Sequence, residues 1–248
     1  MKFITSAVRK GRKSYQEDRH CYLNIHGRNL NGWLLAVMDG HRGDFVAEFC
    51  RTEIPKIFRL SEASQGEKAL EELVTELSRQ TAHDNSGSTL SLALVIDRPR
   101  IASVAILGDS PVVIYDGKKL HLSPDHNVRT NLVERAAAEV RGGRYDTRDG
   151  GYLYGLHYDL SLQMGRALGD AWMGPALSHI PDIYTIKNPR WVLVASDGLF
   201  DDTHRDTERL LLQVKDLARQ KSSAKDLMQW AESRGPLRDN ATALVWHA

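Results

Sequence analysis

The segment most informative about the fold is Trp33-Leu-Leu-Ala-Val-Met38-Asp39-Gly40-His41, an apolar run that ends in an acid, a glycine and a histidine. Short apolar runs bounded by turn-forming residues are typical of buried β-strands. The arrangement returns where the run 102–107 leads into Gly108-Asp109-Ser110. It returns again where the run 191–195 leads into Ser196-Asp197-Gly198, with Asp201 four residues after Asp197. Three predicted strands therefore each lead into an aspartate.

Two more acidic sites lie directly before strand-like runs. Glu17-Asp18 precedes the run 20–26, and Asp239-Asn240 precedes the run 241–247. Asp-Gly is also a common turn dipeptide, because glycine accepts positive φ and aspartate bonds its own backbone. We interpret Asp116-Gly117, which lies between two strand-like runs, as such a turn. The remaining seven carboxylates stand at strand ends that could converge on one end of the sheets.

The chain as a whole arranges its strands and helices in blocks. Strands are predicted near 2–8, 20–26, 33–38, 88–96, 101–107, 112–115, 191–195 and 241–247. Helical spacing of apolar residues appears at Phe45, Val46, Phe49 and Cys50, at Leu70, Leu73, Val74 and Leu77, at Leu210, Leu211, Val214 and Leu217, and at Leu227, Met228 and Ala231. Tight turns at Arg98-Pro99-Arg100 and Asp116-Gly117 favour antiparallel pairing. We expect a layered α+β sandwich, folded as one domain over 1–248.

One stretch, 126–170, fits neither pattern and is rich in Gly, Arg and Tyr. Long irregular stretches in compact domains are usually functional loops. We therefore predict an irregular flap at about 126–165. The stretch contains four tyrosines: Tyr145, Tyr152, Tyr154 and Tyr158. They suit a mobile, adhesive loop near the substrate; alternatively, they pack onto the body of the protein.

Composition excludes several classes of protein. Apolar residues make up 42% and charged residues 26% of the chain, as in ordinary globular proteins. A net charge of +1 offers no field for a polyanion, so we expect no nucleic-acid partner. The apolar runs are strand-sized and the start carries no signal peptide, so we expect a protein of the cytoplasm without a membrane span. Cys21 and Cys50 support neither a zinc ribbon nor a disulfide framework.

The clustered acids require a cation. Carboxylates brought close together repel one another unless some are protonated or neutralised. All-oxygen sites suit Mg²⁺ and Mn²⁺, and two such ions form the clamp that activates water against phosphorus. The residues alone therefore predict metal-assisted hydrolysis of a phosphoester, without saying which one.

The order of the motifs resembles that of the metal-dependent type 2C (PPM) serine/threonine protein phosphatases. The motifs are Glu17-Asp18, Asp39-Gly40-His41, Gly87-Ser88-Thr89, Gly108-Asp109-Ser110, Asp125-His126, Arg166-Ala-Leu-Gly-Asp170, Ser196-Asp197-Gly-Leu-Phe-Asp201 and Asp239-Asn240. The resemblance runs from about residue 5 to the end of the sequence. It implies two antiparallel sheets packed face to face, flanked by helices in a four-layer αββα sandwich. It also implies hydrolysis of phosphoserine and phosphothreonine in proteins, opposing a serine/threonine kinase, by a monomer.

The resemblance further implies a role for each acid. Asp39 resembles the carboxylate that bridges two ions of Mn²⁺ or Mg²⁺. The remaining predicted ligands are Asp197 and Asp239 for the first ion, Glu17, the Gly40 carbonyl and, through water, Asp18 for the second, and Asp109 and Asp201, with Asp197, for a weaker third. Arg166, Asp170 and Thr89 are expected to support the site from beneath.

Some positions depart from the family's pattern. The phosphate-binding Arg of the family is replaced by Lys13, with Arg12 beside it, and either residue could bind phosphate. The usual Asp-Gly-His-Gly-Gly has Arg42 at its fourth position, which predicts an extra cation near the metals. The Ser that usually precedes the Arg-Ala-Leu-Gly-Asp motif is Gly165.

These features predict a mechanism. A metal-activated water attacks phosphorus directly, Lys13 or Arg12 stabilises the phosphate oxygens, and His41 acts as general acid for the leaving oxygen. Two alternatives remain at this point: a pseudophosphatase of the same fold that binds phosphoproteins without hydrolysis, and a two-metal enzyme for another phosphoester. Retention of every ligand carboxylate favours an active enzyme.

Overall fold

The computed structural model describes residues 3–26, 30–60, 65–148, 150–156, 159–200 and 207–248. In chain order the strands are β1 (Phe3–Arg9), β2 (Arg19–His26), β3 (Asn31–Met38), β4 (Gly40–His41), β5 (Gly87–Ser88), β6 (Leu90–Ile96), β7 (Ile101–Leu107), β8 (Val112–Tyr115), β9 (Leu120–Leu122), β10 (Arg144–Asp146), β11 (Tyr152–Tyr154), β12 (Ser161–Leu162), β13 (Leu168–Gly169), β14 (Asp182–Lys187), β15 (Trp191–Ala195) and β16 (Ala241–His247). The helices are α1 (Phe45–Leu60), α2 (Gly66–Thr81), α3 (Leu132–Val140), α4 (Thr207–Arg219) and α5 (Ala224–Ser233), with short 3-10 helices at Ala171–Ala176 and Asp197–Leu199.

Two five-stranded sheets form the centre of the fold. The first sheet has the order β14-β7-β6-β3-β2, and the second has the order β1-β16-β15-β8-β9. Every neighbouring pair of strands in both sheets is antiparallel. The predicted antiparallel pairing is therefore confirmed.

The three central strands of the first sheet, β3, β6 and β7, are buried on both faces, which explains their apolar runs. Successive side chains of a strand point to opposite faces. In β3, Leu35 and Val37 face the second sheet, where they meet Val194, Leu244 and neighbouring side chains. The alternate residues of β3 pack against α1 and α2 instead, as does Met38 at its end.

The second sheet is covered on its outer face by the other pair of helices. Leu193 and Val245 pack there against Leu227 and Met228 of α5, and Val214 of α4 joins the same cluster. Helices therefore flank both sheets, and the four-layer αββα sandwich expected from the resemblance is confirmed. The prediction of one domain over 1–248 stays a prediction.

Most elements lie where the sequence places them, but some were missed. The turn prediction for Asp116 is confirmed, because its Oδ1 accepts the backbone N–H groups of Lys118 and Lys119 at 2.7 and 2.9 Å. The sequence did not indicate β14, which forms an edge of the first sheet. In the part of the chain that the structure describes, no helix has the length and apolarity to cross a membrane.

The prediction that 126–165 is irregular throughout is wrong, because its described residues include α3 and a three-stranded sheet in the order β10-β11-β12. That this segment, called the flap below, acts as a flap stays a prediction. Leu153, Leu162 and Ala138 pack with Trp172 and Met173 into a core of their own. The tyrosines are covered rather than loose: the guanidinium of Arg135 lies 3.7 Å from the ring centroid of Tyr145, and that of Arg144 lies 5.1 Å from the centroid of Tyr154. Tyr158 lies outside the described residues.

Candidate metal centre

The register of the strands brings the predicted acids to one end of the two sheets. Arg19 of β2 pairs with Met38 of β3, so Asp18 lies beside Asp39. Leu90 pairs with Leu107, which brings Asp109 to the same edge. In the second sheet Ala195 pairs with Ala243, so that Asp197 and Asp239 flank neighbouring strand ends.

The electrostatics of Asp39 show that these acids share a site. The pKa of Asp39 is raised well above its usual range by burial first, and then by negative charges. Those charges belong to Asp18, Asp197, Asp109 and Asp239. Burial also raises the pKa of Asp18 to about 6, and the charge of Asp197 raises it further. The hydrogen bond from Ser196 acts in the opposite direction. The protein thus concentrates negative charge that its own hydrogen bonds do not neutralise.

This donor set fits hard divalent cations. Oδ2 of Asp18 accepts a hydrogen bond from Ser196 Oγ at 2.7 Å, but its Oδ1 is buried with no hydrogen-bond partner. Carboxylate oxygens are the ligands that Mg²⁺ and Mn²⁺ prefer. Across the described ranges no three His, Cys, Asp or Glu side chains already form a closed metal-binding group. The described acids therefore lie around Asp39 without forming a closed set of metal ligands.

Glu17 is held beside the loop that follows Asp39. Its Oε1 accepts the backbone N–H of Gly43 at 2.8 Å. A Cβ on Gly40 would lie 2.7 Å from the carbonyl oxygen of Glu17, so the two backbones approach closely. Glu17 and Gly40, the predicted ligands of the second ion, are therefore adjacent.

Asn240 joins three points of this region by hydrogen bonds that no local sequence pattern indicates. Its Oδ1 accepts the backbone N–H of Glu17 at 2.7 Å. Its Nδ2 donates to the carbonyl oxygens of Lys10 at 2.8 Å and Tyr15 at 3.1 Å. One side chain at the start of β16 therefore fixes the path of the segment that carries Lys13.

The backbone of Asp39 is supported from beneath, as expected for Thr89. The N–H of Asp39 donates to Thr89 Oγ1 at 3.1 Å, and the N–H of Thr89 donates to the Asp39 carbonyl at 3.0 Å. Oγ of Ser110 lies 2.8 Å from Thr89 Oγ1. Asp109 is held separately, since Asn127 Nδ2 donates to its Oδ2 at 2.9 Å. Asp201, the other ligand predicted for a third ion, lies outside the described residues.

Lys13 contacts the acid cluster directly. Its Nζ lies 2.9 Å from Asp239 Oδ1. Burial alone would lower the pKa of Lys13, but the hydrogen bond and the charge of Asp239, with the charges of Asp39 and Glu17, raise it above its usual value. Arg12 is exposed, and its backbone N–H donates to the Leu237 carbonyl at 3.1 Å. Of the two candidate phosphate-binding residues, Lys13 is the one whose side chain contacts an acid of the cluster.

His41 is paired with Asp170, which the sequence assigned only to support. Its Nε2 lies 2.7 Å from Asp170 Oδ2, and Asp170 is buried. The pair closes over Gly87, where a Cβ would lie 2.0 Å from the Asp170 oxygen and 2.2 Å from His41 Nε2. Only glycine leaves room for this contact.

Arg166 and Arg42 contact groups outside the acid cluster around Asp39. Arg166 donates to Glu134 of α3 through Nε and Nη2, and to Asp182 through Nη1 at 2.8 Å. It therefore supports the flap. The guanidinium of Arg42 lies 5.0 Å from the ring centroid of Trp172, an arrangement typical of a cation–π contact. The expectation that Arg42 adds a cation near the metals stays a prediction.

A family model for protein phosphatase 2C matches residues 4–236 of the chain. The chain belongs to the protein phosphatase 2C family. The resemblance inferred from the motifs is thus confirmed.

Curated 2C relatives support the same assignment. Protein phosphatase 2C homolog 1 of Schizosaccharomyces pombe is 25% identical, over 92% of this chain and 67% of the relative. Probable protein phosphatase 2C 59 of Oryza sativa subsp. japonica is 30% identical, over 86% of this chain and 65% of the relative. An integrin-linked kinase-associated serine/threonine phosphatase 2C of Rattus norvegicus is 29% identical, over 78% and 56%. The chain spans between about half and two thirds of the length of these relatives.

Solved structures share the fold. Serine-threonine phosphatase 2C from Toxoplasma gondii superposes with a TM-score of 0.77 at 20% identity, covering 99% of this chain and 94% of that one. A C. elegans sex determining protein gives a TM-score of 0.79 at 22% identity, covering 99% and 64%. The predicted enzyme class, a phosphoprotein phosphatase, agrees with the family and with the names of these 2C relatives.

Proposed function

We propose that this chain is a metal-dependent protein phosphatase that hydrolyses phosphoserine and phosphothreonine in other proteins. The observation that carries the proposal is the convergence of four aspartates on half-buried Asp39, in a chain of the 2C family. Four acids in such a place raise the free energy of the protein unless cations neutralise them. The presence of all four acids therefore indicates that they bind cations.

The ions we propose are Mn²⁺ or Mg²⁺, two of them with a weaker third. Asp39 would bridge the two, Asp197 and Asp239 would hold the first, and Glu17 with the Gly40 carbonyl would hold the second. The outer and third-site ligands would be Asp18, Asp109 and Asp201. When bound, a pair of such ions activates a water molecule and offsets charge on phosphate oxygens.

The remaining residues act on the phosphate and the leaving group. Lys13, at the edge of the acids, binds phosphate oxygens as a point charge, with exposed Arg12 beside it. His41 keeps Nε2 on Asp170, which leaves Nδ1 as the atom that gives a proton to the departing Ser or Thr oxygen. The substrates are phosphorylated proteins, and an opposing kinase, a monomeric state and a cytoplasmic location remain predictions.

The test is Asp39→Asn, which removes the central charge but keeps the size of the side chain. We expect Mn²⁺-dependent hydrolysis of a phosphopeptide library to fall at least 10²-fold, as loss of essential electrostatic groups typically does. The matched control is Asp116→Asn, which alters an aspartate of the β8–β9 turn and should keep wild-type turnover. Steady-state phosphate release, with and without chelator, provides the measurement.

Other outcomes decide against the proposal. Activity that survives exhaustive chelation would exclude the metal-dependent site. Phosphopeptide binding without turnover in the presence of Mn²⁺ would make the chain a pseudophosphatase. Hydrolysis confined to nucleotides or other small esters would favour the alternative two-metal enzyme.

A further inference from the structure

Arg42 occupies a backbone conformation that favours glycine. Its φ is 58°, in the left-handed region that side chains other than glycine rarely adopt. The family motif has glycine at this position, as the sequence comparison noted above. The backbone conformation therefore does not explain why this position carries the long cationic side chain of arginine.

The side chain of Arg42 is held in place by an aromatic face. Its guanidinium lies 5.0 Å from the ring centroid of Trp172. That ring is nearly fully buried in the flap core, and its Nε1 donates to the Asn85 carbonyl at 3.2 Å. A fixed ring beneath the guanidinium orients it and lowers the entropy that binding would cost.

Acids of the protein do not neutralise this guanidinium. The next two acids after it in the chain, Asp44 and Glu48, form ion pairs with Arg19. Among the described residues no carboxylate is hydrogen-bonded to or ion-paired with Arg42, which is exposed. An exposed, oriented fork of N–H donors matches a carboxylate or a phosphate.

The neighbours of Arg42 belong to the proposed site. The residue before it, His41, contacts Asp170, and the N–H of Gly43 after it donates to Glu17. Arg42 therefore stands at the rim of the site, between the acids and the flap. A substrate whose phosphorylated residue enters the site places its next side chains near this rim.

We propose that Arg42 is a specificity-determining residue, which binds an anionic side chain next to the phosphorylated residue of the substrate. The anion is a carboxylate of Asp or Glu, or the phosphate of a second phosphorylated residue. The inference rests on the proposed phosphatase function and names the class of substrate that this site prefers.

The experiment compares two variants on three phosphothreonine peptides. The peptides carry Ala, Glu or phosphoserine beside the phosphothreonine. Arg42→Met keeps an unbranched side chain to pack on Trp172 but removes the charge, whereas Arg42→Lys keeps the charge without the fork. The measurement is kcat/KM for each peptide in Mn²⁺, with nitrophenyl phosphate as a substrate that lacks neighbouring side chains.

We expect the wild type to prefer the anionic peptides, and Arg42→Met to lower that preference, relative to the Ala peptide, about tenfold. Arg42→Lys should retain part of it. The Glu and phosphoserine peptides distinguish the two sources of the anion. An equal loss of kcat/KM on all three peptides would show that Arg42 has only a structural role. An unchanged preference for the anionic peptides would show that Arg42 does not contribute to substrate recognition.

A binding measurement separates this inference from the proposed function. Fluorescence anisotropy of the same peptides on the Asp39→Asn protein, with and without Arg42→Met, needs no turnover. Weaker binding of the anionic peptides in the double variant would support Arg42 even if the chain proved to be a pseudophosphatase. Identical affinities would overturn the inference whether or not the wild type hydrolyses nitrophenyl phosphate.

Discussion

The contact between His41 and Asp170 changes what a histidine at this position can do. A buried carboxylate 2.7 Å from Nε2 fixes the orientation of the ring. Asp170 itself sits at φ 52°, so the chain accepts a disfavoured backbone conformation to present this carboxylate. A general acid for a poor leaving group needs such a fixed partner.

We therefore expect His41→Gln to slow hydrolysis of a phosphopeptide by about 10²-fold or more, but of nitrophenyl phosphate much less. An alkoxide needs a proton as it leaves, whereas nitrophenolate does not. Asp170→Asn, which keeps the shape but removes the charge, should show the same dependence on the leaving group with a smaller loss. Parallel kcat measurements on both substrates test this. Equal slowing on the two would leave His41 a positioning residue.

Individual residues of the site divide into those the sequence could predict and those it could not. Asp39, Asp109 and Asp197 are recognisable because each follows an apolar run, which is a local pattern. The contacts of Asn240 and Asp170 depend on strand register between residues far apart in the chain, which no local pattern contains. Arg42 was recognisable as unusual, but its position over Trp172 was not.

At the scale of elements, a chain of polar contacts links α3 to the strand that carries Asp109. Glu134 of α3 bonds Arg166, which bonds Asp182 of β14. Asp182 Oδ2 lies 3.1 Å from Nε2 of His126, whose Nδ1 accepts the Gly108 N–H at 3.1 Å. Because a backbone N–H can only donate, His126 is neutral here, with its proton on Nε2.

Burial lowers the pKa of His126 from its usual value, assisted by Arg166 and opposed by its hydrogen bond to Asp182 and the charges of Glu134 and Asp182. The unfolded chain therefore binds more protons than the folded protein near pH 6.5 and below. We expect the contribution of His126 to the free energy of unfolding to be complete above pH 6.5 and to be lost as pH falls. His126→Asn should flatten this dependence.

Urea denaturation of the metal-free protein at pH 5.5 and 7.5 measures the effect. Asn keeps an acceptor for the Gly108 N–H, and other groups titrate alike in variant and wild type, so the difference between the two isolates His126. If the free energy of unfolding changed equally between pH 5.5 and 7.5 in the variant and in the wild type, the assignment of a neutral, buried ring would be contradicted.

Helix α3 shows why the flap was misjudged from the sequence. Its buried residues are Glu134 and Ala138, while Leu132, Val133 and Val140 are exposed, so its large apolar side chains do not mark the buried face. A local signal was present nonetheless. Asn131 caps the helix by accepting the N–H groups of Val133 and Glu134, and asparagine followed three residues later by glutamate is a common start of a helix.

At the scale of the whole molecule, the layer between the two sheets should carry much of the stability. Leu244 is fully buried there, whereas Leu132 at the start of α3 is 66% exposed. We expect Leu244→Ala to lower the free energy of unfolding by about 2–5 kcal/mol. Leu132→Ala, the matched control, should change it by no more than about 0.5 kcal/mol. Denaturant titration of both variants would show whether the central layer dominates.

The three hydrogen bonds of Asn240 also set an order of events during biosynthesis. They join residues 223 to 230 positions apart, and β1 cannot pair with β16 until both have been made. At roughly 5–20 residues per second, the ribosome needs about 11–45 s to progress from Glu17 to Asn240. Shortly before the end of that interval most of the predicted metal ligands have been made, whereas the side chain of Asn240 that ties Glu17 to β16 has not. We therefore expect the acids of the proposed site to come together only after β16 has been made.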